Sequence, residues 1–516
     1  MAIENIKLDN DLILEEPRWI SGEFHNHSCV SLDVSEPYMT LENILKYAFR
    51  DGEDELPAEA LAISKNSQSY DFLLTADHFR NSPRDVNCMP KKSAVWEAMA
   101  EQAKKYNVLK SQGRFQAKAY YPAFEWDMPG LDHGTVALMT DGVELPIDKI
   151  RAFEWLFCSF TSSELFDPDI EQELGPRRNE RKSLKRSFEA LEWIKEHCPN
   201  SFLSLNHPSA KNSQPNEVNI EHIRRLHDIA PDIFYSFEGI PGNQFSGDRG
   251  EYPGICGGAD PMLATVGGIW DALLSEGRRI FVVTSSDFHF KISSNGLYSS
   301  GYWPSEYART YLYAKGENMM EIVHSLRSGN AFVVTGDLIQ SLEFTVSSEG
   351  QSSAMGGELK TEAGEELSIM IQFKESEINN YQANLPEKSR STNHPQLDHI
   401  DLIAGPIRDP HPDPSNNGSP ETHVLHSFPR EEWEALEDGS YQILFKCKIQ
   451  DSMYFRLRGS NLAANTPGET DASGNPLPDE IFEKANYQDL KQLHHHINER
   501  NYKDLWFYSN PIFVYI

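Results

Sequence analysis

The stretch GEFHNHSCVSLD, residues 22–33, places His25 and His27 one residue apart at the end of an apolar run and Asp33 just beyond them. On extended backbone, residues i and i+2 point to the same side, so the two imidazoles can reach one metal ion or two adjacent ones. Alone, the pattern fits equally well two solvated polar residues at a strand end. It recurs, however. TADHF carries Asp77 and His78, FEWDMPGLDH carries Glu125 and His133, LNHP carries His207, and SSDFH carries Asp287 and His289, again at i, i+2. Each group lies at or near one end of a run rich in β-formers. Functional groups of parallel α/β folds collect at the C-terminal strand ends, and buried His and Asp are costly without partners. A single cavity lined by these side chains accounts for all five groups. Imidazole and carboxylate without a well-placed thiolate suit Zn, Mn or Fe rather than Ca, and the number of donors is enough for two or three divalent ions. Cys29 is read as a bystander, and Asp77 as a residue that orients a ligand.

The elements that must position these residues alternate in type. RWISGEFH, YDFLLTADH, KAYYPAFEW, GTVALMT, SFLSLNHP, DIFYSFEG and RRIFVVTSSD read as strands. Helical patterns separate many of them, among them LENILKYAFRDG, SFEALEWIKEHCP and NMMEIVHSLRSG, several ending at Gly or Pro. The alternation argues for a parallel sheet with crossover helices, as an α/β barrel or an open sheet, and the seven runs favour a barrel. From residue 341 the character changes to strand-like runs separated by Gly, Pro and Asn. The expected organisation is therefore an α/β domain over residues 1–340 and a β-sandwich over 341–516. Trp270 and Leu273 read as core, Glu238 as a possible lining residue, and GICGGAD from Gly254 as a flexible rim loop. EEWEALEDG is read as an exposed helix turn, His411, His423 and His426 as loop residues, and the His494–His496 run as a solvated helical face.

The chain has 516 residues and a net charge of −31. So acidic a surface disfavours a nucleic-acid partner and favours a small-molecule substrate. No apolar stretch is long enough for a membrane span, and no basic segment followed by an apolar core marks a signal peptide. A cytoplasmic location is expected. Six cysteines without tight spacing suggest no disulfide framework.

The ordered motifs HxH, DH, E, H, HP and DxH, in the contexts GEFHNHS, LLTADHF, LNHP and WDALLSEGRRIFVVTSSDFH, resemble the polymerase and histidinol phosphatase (PHP) family of metal-dependent phosphoesterases. The run ARTYLYAKGENMMEIVHSLRSGNAFVVTGD resembles its branch of carbaryl-hydrolase-like proteins. The likeness covers roughly residues 18–337. It implies a distorted seven-stranded (β/α) barrel holding up to three metals. His25, His27, Glu125 and Asp287 would hold the first. Glu125 would bridge to a second, completed by His133 and His207, and Asp33, His78 and His289 would hold the third. Asp33 lies in SLD where the family more commonly has SDG. The implied activity is hydrolysis of a small anionic phosphoester by a hydroxide shared between metals, with Glu125 and Asp287 in the catalytic centre and Arg80, Lys291 or Arg309 assisting as cations. The same site could cleave a carbamate, amide or carboxylic ester. A non-catalytic metal-binding protein is the third reading.

Overall fold

The computed structural model describes residues 3–34, 37–51, 68–140, 143–210, 219–242, 255–289, 303–376, 396–480, 486, 488 and 500–516. The seven runs expected to be strands all are: β1 (Leu14–Glu23), β2 (Phe72–His78), β3 (Ala119–Asp127), β4 (His133–Ala137), β5 (Phe202–Leu205), β6 (Phe234–Pro241) and β7 (Phe281–Ser285). They lie side by side in chain order. All seven residues of β2 are buried, as befits a strand covered on both faces. The helix Met319–Ser328 begins and ends where the sequence provides caps. The Asn318 side chain accepts the Glu321 amide at its start, and Gly329 closes it in the left-handed conformation.

The sheet is not uniformly parallel. β1, β2 and β3 run parallel, as do β5, β6 and β7, but β4 is antiparallel to both its neighbours. The cause is the link between β3 and β4. A parallel connection needs a crossover of about a dozen residues, whereas residues 128–132 close a tight turn in which the Met128 amide donates to the Asp132 carbonyl at 3.0 Å. The reversal brings the start of β4, and so His133, to the same edge as the ends of β2 and β3.

The boundary expected at residue 341 runs through continuous structure. Beyond β1 the sheet continues through β8 (Ala308–Gly316) and β9 (Ala331–Thr335), both antiparallel. β9 then pairs with β16 (Trp506–Ser509) near the C-terminus, through Phe332 opposite Ser509 and Val334 opposite Phe507. Three further strands extend the same sheet: β15 (Met453–Ser460), β12 (His399–Pro406) and β13 (His423–Pro429). A second, antiparallel sheet is built around β10 (Ile339–Ser348), β11 (Glu366–Glu375) and β14 (Tyr441–Lys448). In β11 the burial alternates, with Leu367, Ile369, Ile371 and Phe373 inside, so one face of this sheet is covered. The architecture is thus mixed α/β with one long, strand-rich sheet.

His423 and His426 lie in β13 rather than on loops. EEWEALEDG is not a helix turn: a single 3-10 turn over Arg430–Glu432 precedes the two-residue strand Glu434–Ala435, with Trp433 tucked inside. Trp270 and Leu273 are core, as expected. The Gly257 and Gly258 amides donate to the Asp479 carboxylate at 2.9 and 3.1 Å, which docks that loop rather than leaving it a flexible rim. His494–His496, Lys291 and Gly254 lie outside the described residues. Among the described residues, no helix is long and apolar enough to cross a membrane.

Candidate metal centre

The nine residues expected as ligands converge. His78 and Glu125 close β2 and approach the end of β3 in direct register. His133 opens β4, His207 follows β5, and Asp287 and His289 follow β7. His25 and His27 follow β1, where the Asp287 amide donates to the His25 carbonyl and the His27 amide to the Phe288 carbonyl, both at 3.1 Å. These two bonds stitch the segment after β7 to the segment after β1.

Glu125 is the hub. Its Oε1 lies 2.9 Å from His133 Nδ1, 3.4 Å from His207 Nε2 and 3.5 Å from His25 Nε2. Its Oε2 lies 2.7 Å from His78 Nδ1 and 3.5 Å from His27 Nε2. One carboxylate thus faces two groups of imidazoles with its two oxygens. At the outer end, Asp33 Oδ2 lies 3.2 Å from Nε2 of both His78 and His289. Three ligand triads, His27/His78/His289, His25/His27/Glu125 and His78/Glu125/His133, each have donor atoms within 4.8 Å of one another. His25 and His27 are sealed, while the Asp33 side chain is 35% and that of His133 16% exposed. Access from solvent is therefore on the Asp33–His133 side.

The outer hydrogen bonds fix which ring nitrogen faces inward. His25 donates from Nδ1 to Glu238 Oε1 at 2.7 Å, and His289 from Nδ1 to the Asp287 carbonyl at 2.8 Å. Ser31 gives its hydroxyl proton to Asp77 at 2.9 Å, so its oxygen accepts the Nδ1 proton of His27 at 2.8 Å. Each Nε2 is then left with a lone pair aimed at the cluster. His25 Nε2 and His27 Nε2 stand 3.0 Å apart, and His27 Nε2 stands 2.9 Å from Asp287 Oδ1. Acceptors so close repel one another unless a cation or a proton lies among them. The same holds at Glu125: Oε2 and His78 Nδ1 are near neighbours, yet neither has a hydrogen-bond partner of acceptable geometry, nor does His133 Nδ1. These orphaned buried atoms are what a divalent ion would satisfy, so the donor set fits.

Charge in the cluster is also balanced by protons. Burial pushes every imidazole down, but the carboxylates outweigh it: Glu238, Glu125 and Asp287 hold His25 well above its ordinary value, and Glu125 and Asp33 lift His78 to about 9. Glu125 likewise lifts His133, and Asp33 lifts His289, in each case against burial. Within the cluster, only His27 falls, to about 3, because burial is reinforced by the charges of His289 and His78. Burial raises the carboxyls, yet the surrounding imidazoles hold Asp33, Glu125 and Asp287 below the usual range.

Two candidate ligands sit in strained backbone: His207 at φ 27° and Asp287 at φ 42°, both in the left-handed region. Such strain gathers at functional sites. At His207 it is held by Glu238, whose Oε2 accepts the His207 amide at 3.0 Å while Oε1 grips His25. Asp77 accepts from Ser28, Ser31 and Gln102 and so holds the Ser31 hydroxyl against His27.

Arg309 is not brought to the cluster. It is buried in β8, bonded to Asp337 at 2.5 Å and to the Ser305 carbonyl at 2.9 Å, above the Tyr70 ring. Its expected catalytic part gives way to a structural one. Arg80 is near the site but bonded through two nitrogens to Asp127. Cys29 is not a ligand: it is bonded to Cys88, 59 residues on, a separation that hides the pairing in the sequence. Disulfides are rare in reducing compartments, which weighs against the cytoplasmic expectation. Sequence reasoning missed Glu23, which accepts from Ser286 at its amide and hydroxyl and so ties β1 to the Asp287 segment. It also missed Asp127, 3.2 Å from His133 Nε2, although Asp127 follows Glu125 by the same i+2 step that relates Arg80 to His78.

No protein-family model matches the chain, and no curated protein or solved structure is detectably similar to it.

Proposed function

We propose that the protein is a metal-dependent hydrolase of the PHP type, with two or three divalent ions (Zn, Mn or Fe) and a small phosphoester as substrate. The observation that carries this reading is the Glu125 carboxylate, buried, with one oxygen turned to His25, His133 and His207 and the other to His27 and His78. A purely structural ion-pair network needs one or two imidazoles per carboxylate, whereas five face Glu125. The linkage between the segments after β7 and β1 supports reading β1–β7 as a distorted barrel with this cluster at its rim.

His25, His27, Glu125 and Asp287 would hold the first ion, Glu125, His133 and His207 the second, and Asp33, His78 and His289 the third. Ions bound there supply Lewis acidity: they polarise a phosphoryl oxygen and make water a stronger acid. The chain supplies the rest. Glu238, Ser31 and the Asp287 carbonyl fix the inward-facing nitrogens before any substrate arrives, which removes reorganisation from the reaction. The burial of His25 and His27 keeps bulk water from the inner side. The opening at Asp33 and His133 sets the direction of approach.

The test is metal analysis of the purified protein, with hydrolysis of p-nitrophenyl phosphate, its bis-ester and p-nitrophenyl acetate under added Mn or Zn. More than one ion per chain with cleavage of a phosphate ester supports the reading. Cleavage of the acetate alone moves the chemistry to carbon, and fewer than one ion per chain without hydrolysis points to a non-catalytic protein.

A further inference from the structure

Although the chain carries a net charge of −31, residues 175–186, GPRRNERKSLKR, hold six Lys or Arg in twelve positions against one acid. We propose that this segment is a recognition rim for a second phosphate group, so that the preferred ligand is a small molecule bearing one phosphate at the metal centre and another beyond it. The proposal deepens the hydrolase reading and rests on it for the first of these two positions.

The segment is built onto the open side of the cluster. Arg177 donates to the carbonyls of Trp155, Cys158 and Thr161 at 3.1, 2.7 and 2.9 Å, and Asn179 to that of Cys158 at 2.9 Å. The Gly130 amide, in the turn that directly follows β3, donates to the Arg181 carbonyl at 2.9 Å. The Arg181 guanidinium lies 4.4 Å from the centre of the Phe160 ring, and Arg80 lies 4.8 Å from the same centre. Arg80 is bonded to Asp127, and Asp127 lies against His133, one of the two most exposed candidate ligands. A continuous chain of contacts therefore leads from the mouth of the cluster to Arg181.

The charges of the segment are not spent alike. Arg177 is committed to backbone carbonyls, while Lys185 and Arg186 are paired with Glu189, and Arg186 also with Glu180. Arg178, Arg181 and Lys182 are exposed, and among the described residues no carboxylate lies within ion-pair distance of them. The three stand within five positions of one another in a chain with 78 acidic residues. They create a local positive field beside the site that an otherwise anionic surface does not provide. A guanidinium presents parallel N–H donors that match two oxygens of a phosphate, and Phe160 holds that of Arg181 in place. The short reach of the segment suits a small bisphosphate better than a long polyanion, which would meet the acidic surface around it.

The experiment measures binding of short α,ω-alkanebisphosphonates and of the matching alkylmonophosphonates, none of which can be hydrolysed, to the full-length metal-loaded protein by calorimetry. The parent should bind a bisphosphonate at least about tenfold more tightly than the monophosphonate, and the preference should shrink as salt is added. Arg178→Ala/Arg181→Ala should erase the preference with metal content retained, and Arg181→Glu should reverse it. Equal affinity of the parent for both ligands, or a preference that survives in the double variant, overturns the proposal. So does a single-stranded oligonucleotide that displaces the bisphosphonate more strongly than the bisphosphonate itself does. If the preference holds while no p-nitrophenyl ester is cleaved, the rim stands and the hydrolytic reading falls.

Discussion

Glu238 shows how a single carboxylate can set two candidate ligands at once, since it holds the His25 ring with one oxygen and the His207 backbone with the other. Replacing such an outer partner lowers metal affinity by about 10–100-fold. Glu238→Gln is therefore expected to weaken binding by that factor in a chelator competition, whereas His25→Ala and Asp287→Ala should lose metal and all activity. Unchanged affinity in Glu238→Gln would remove its orienting part. The titration of the cluster gives a second expectation. Without metal, His78 holds its proton up to about 9, so each ion that enters must displace protons and metal affinity must fall as pH falls. Calorimetry in buffers of different ionisation enthalpy should register the released protons. The sign for folding is the opposite. A histidine whose folded value is raised from 6.5 to about 9 stabilises fully below the lower value and loses that contribution as pH rises through the higher one. The chelator-treated protein should therefore melt at a lower temperature at pH 9 than at pH 7, and added metal should narrow the gap.

At the scale of elements, β8 and β9 are held in place by a buried ion pair. Arg309 and Asp337 are each about 1% exposed, and removing one partner of such a pair costs about 3–5 kcal/mol because the other is left charged in the interior. Asp337→Ala should show that loss in denaturant unfolding while the protein that remains folded keeps its metal. A fall in turnover with unchanged stability in Arg309→Met would instead restore Arg309 to the site. The loop that carries Asp33 is fastened twice: by the Cys29–Cys88 bond and by Arg84, which donates to the carbonyls of Cys29 and Ser31, both at 2.8 Å. Closing a loop of 59 residues constrains the unfolded chain by about 4 kcal/mol. Cys88→Ser is expected to lower the melting temperature and to weaken metal binding at Asp33 before the sites around Glu125.

Across the whole molecule, the sheet does not respect a division near residue 340. β9 is completed by β16, and Arg456 of β15 is bonded to Asp271 in the helix Ile269–Ser275 at 2.8 and 2.7 Å, both side chains being buried. A protein ending at residue 340 would expose the hydrogen-bonding edge of β9 and leave Asp271 charged without its partner. Such edges template aggregation. The truncated chain should be insoluble or melt far below the full chain, and a soluble, equally stable fragment would show the two parts to be independent.

The spacing of the histidines and carboxylates was enough to name the nine side chains that converge around Glu125, because i, i+2 steps at strand ends put donors on one side, but not Asp127, which meets His133 from the end of β3. Apolar runs rich in β-formers were enough to locate β1–β7, and Gly329 the end of the helix Met319–Ser328, because both depend on local chemistry. Tertiary structure decided what depends on partners distant in the chain. The reversal of β4 follows from a turn whose geometry only packing fixes. Arg309 has the composition of a catalytic cation, but its burial beside Asp337 consumes its charge. The pairing of β9 with β16 joins segments more than a hundred residues apart, and no periodicity in either one names the other.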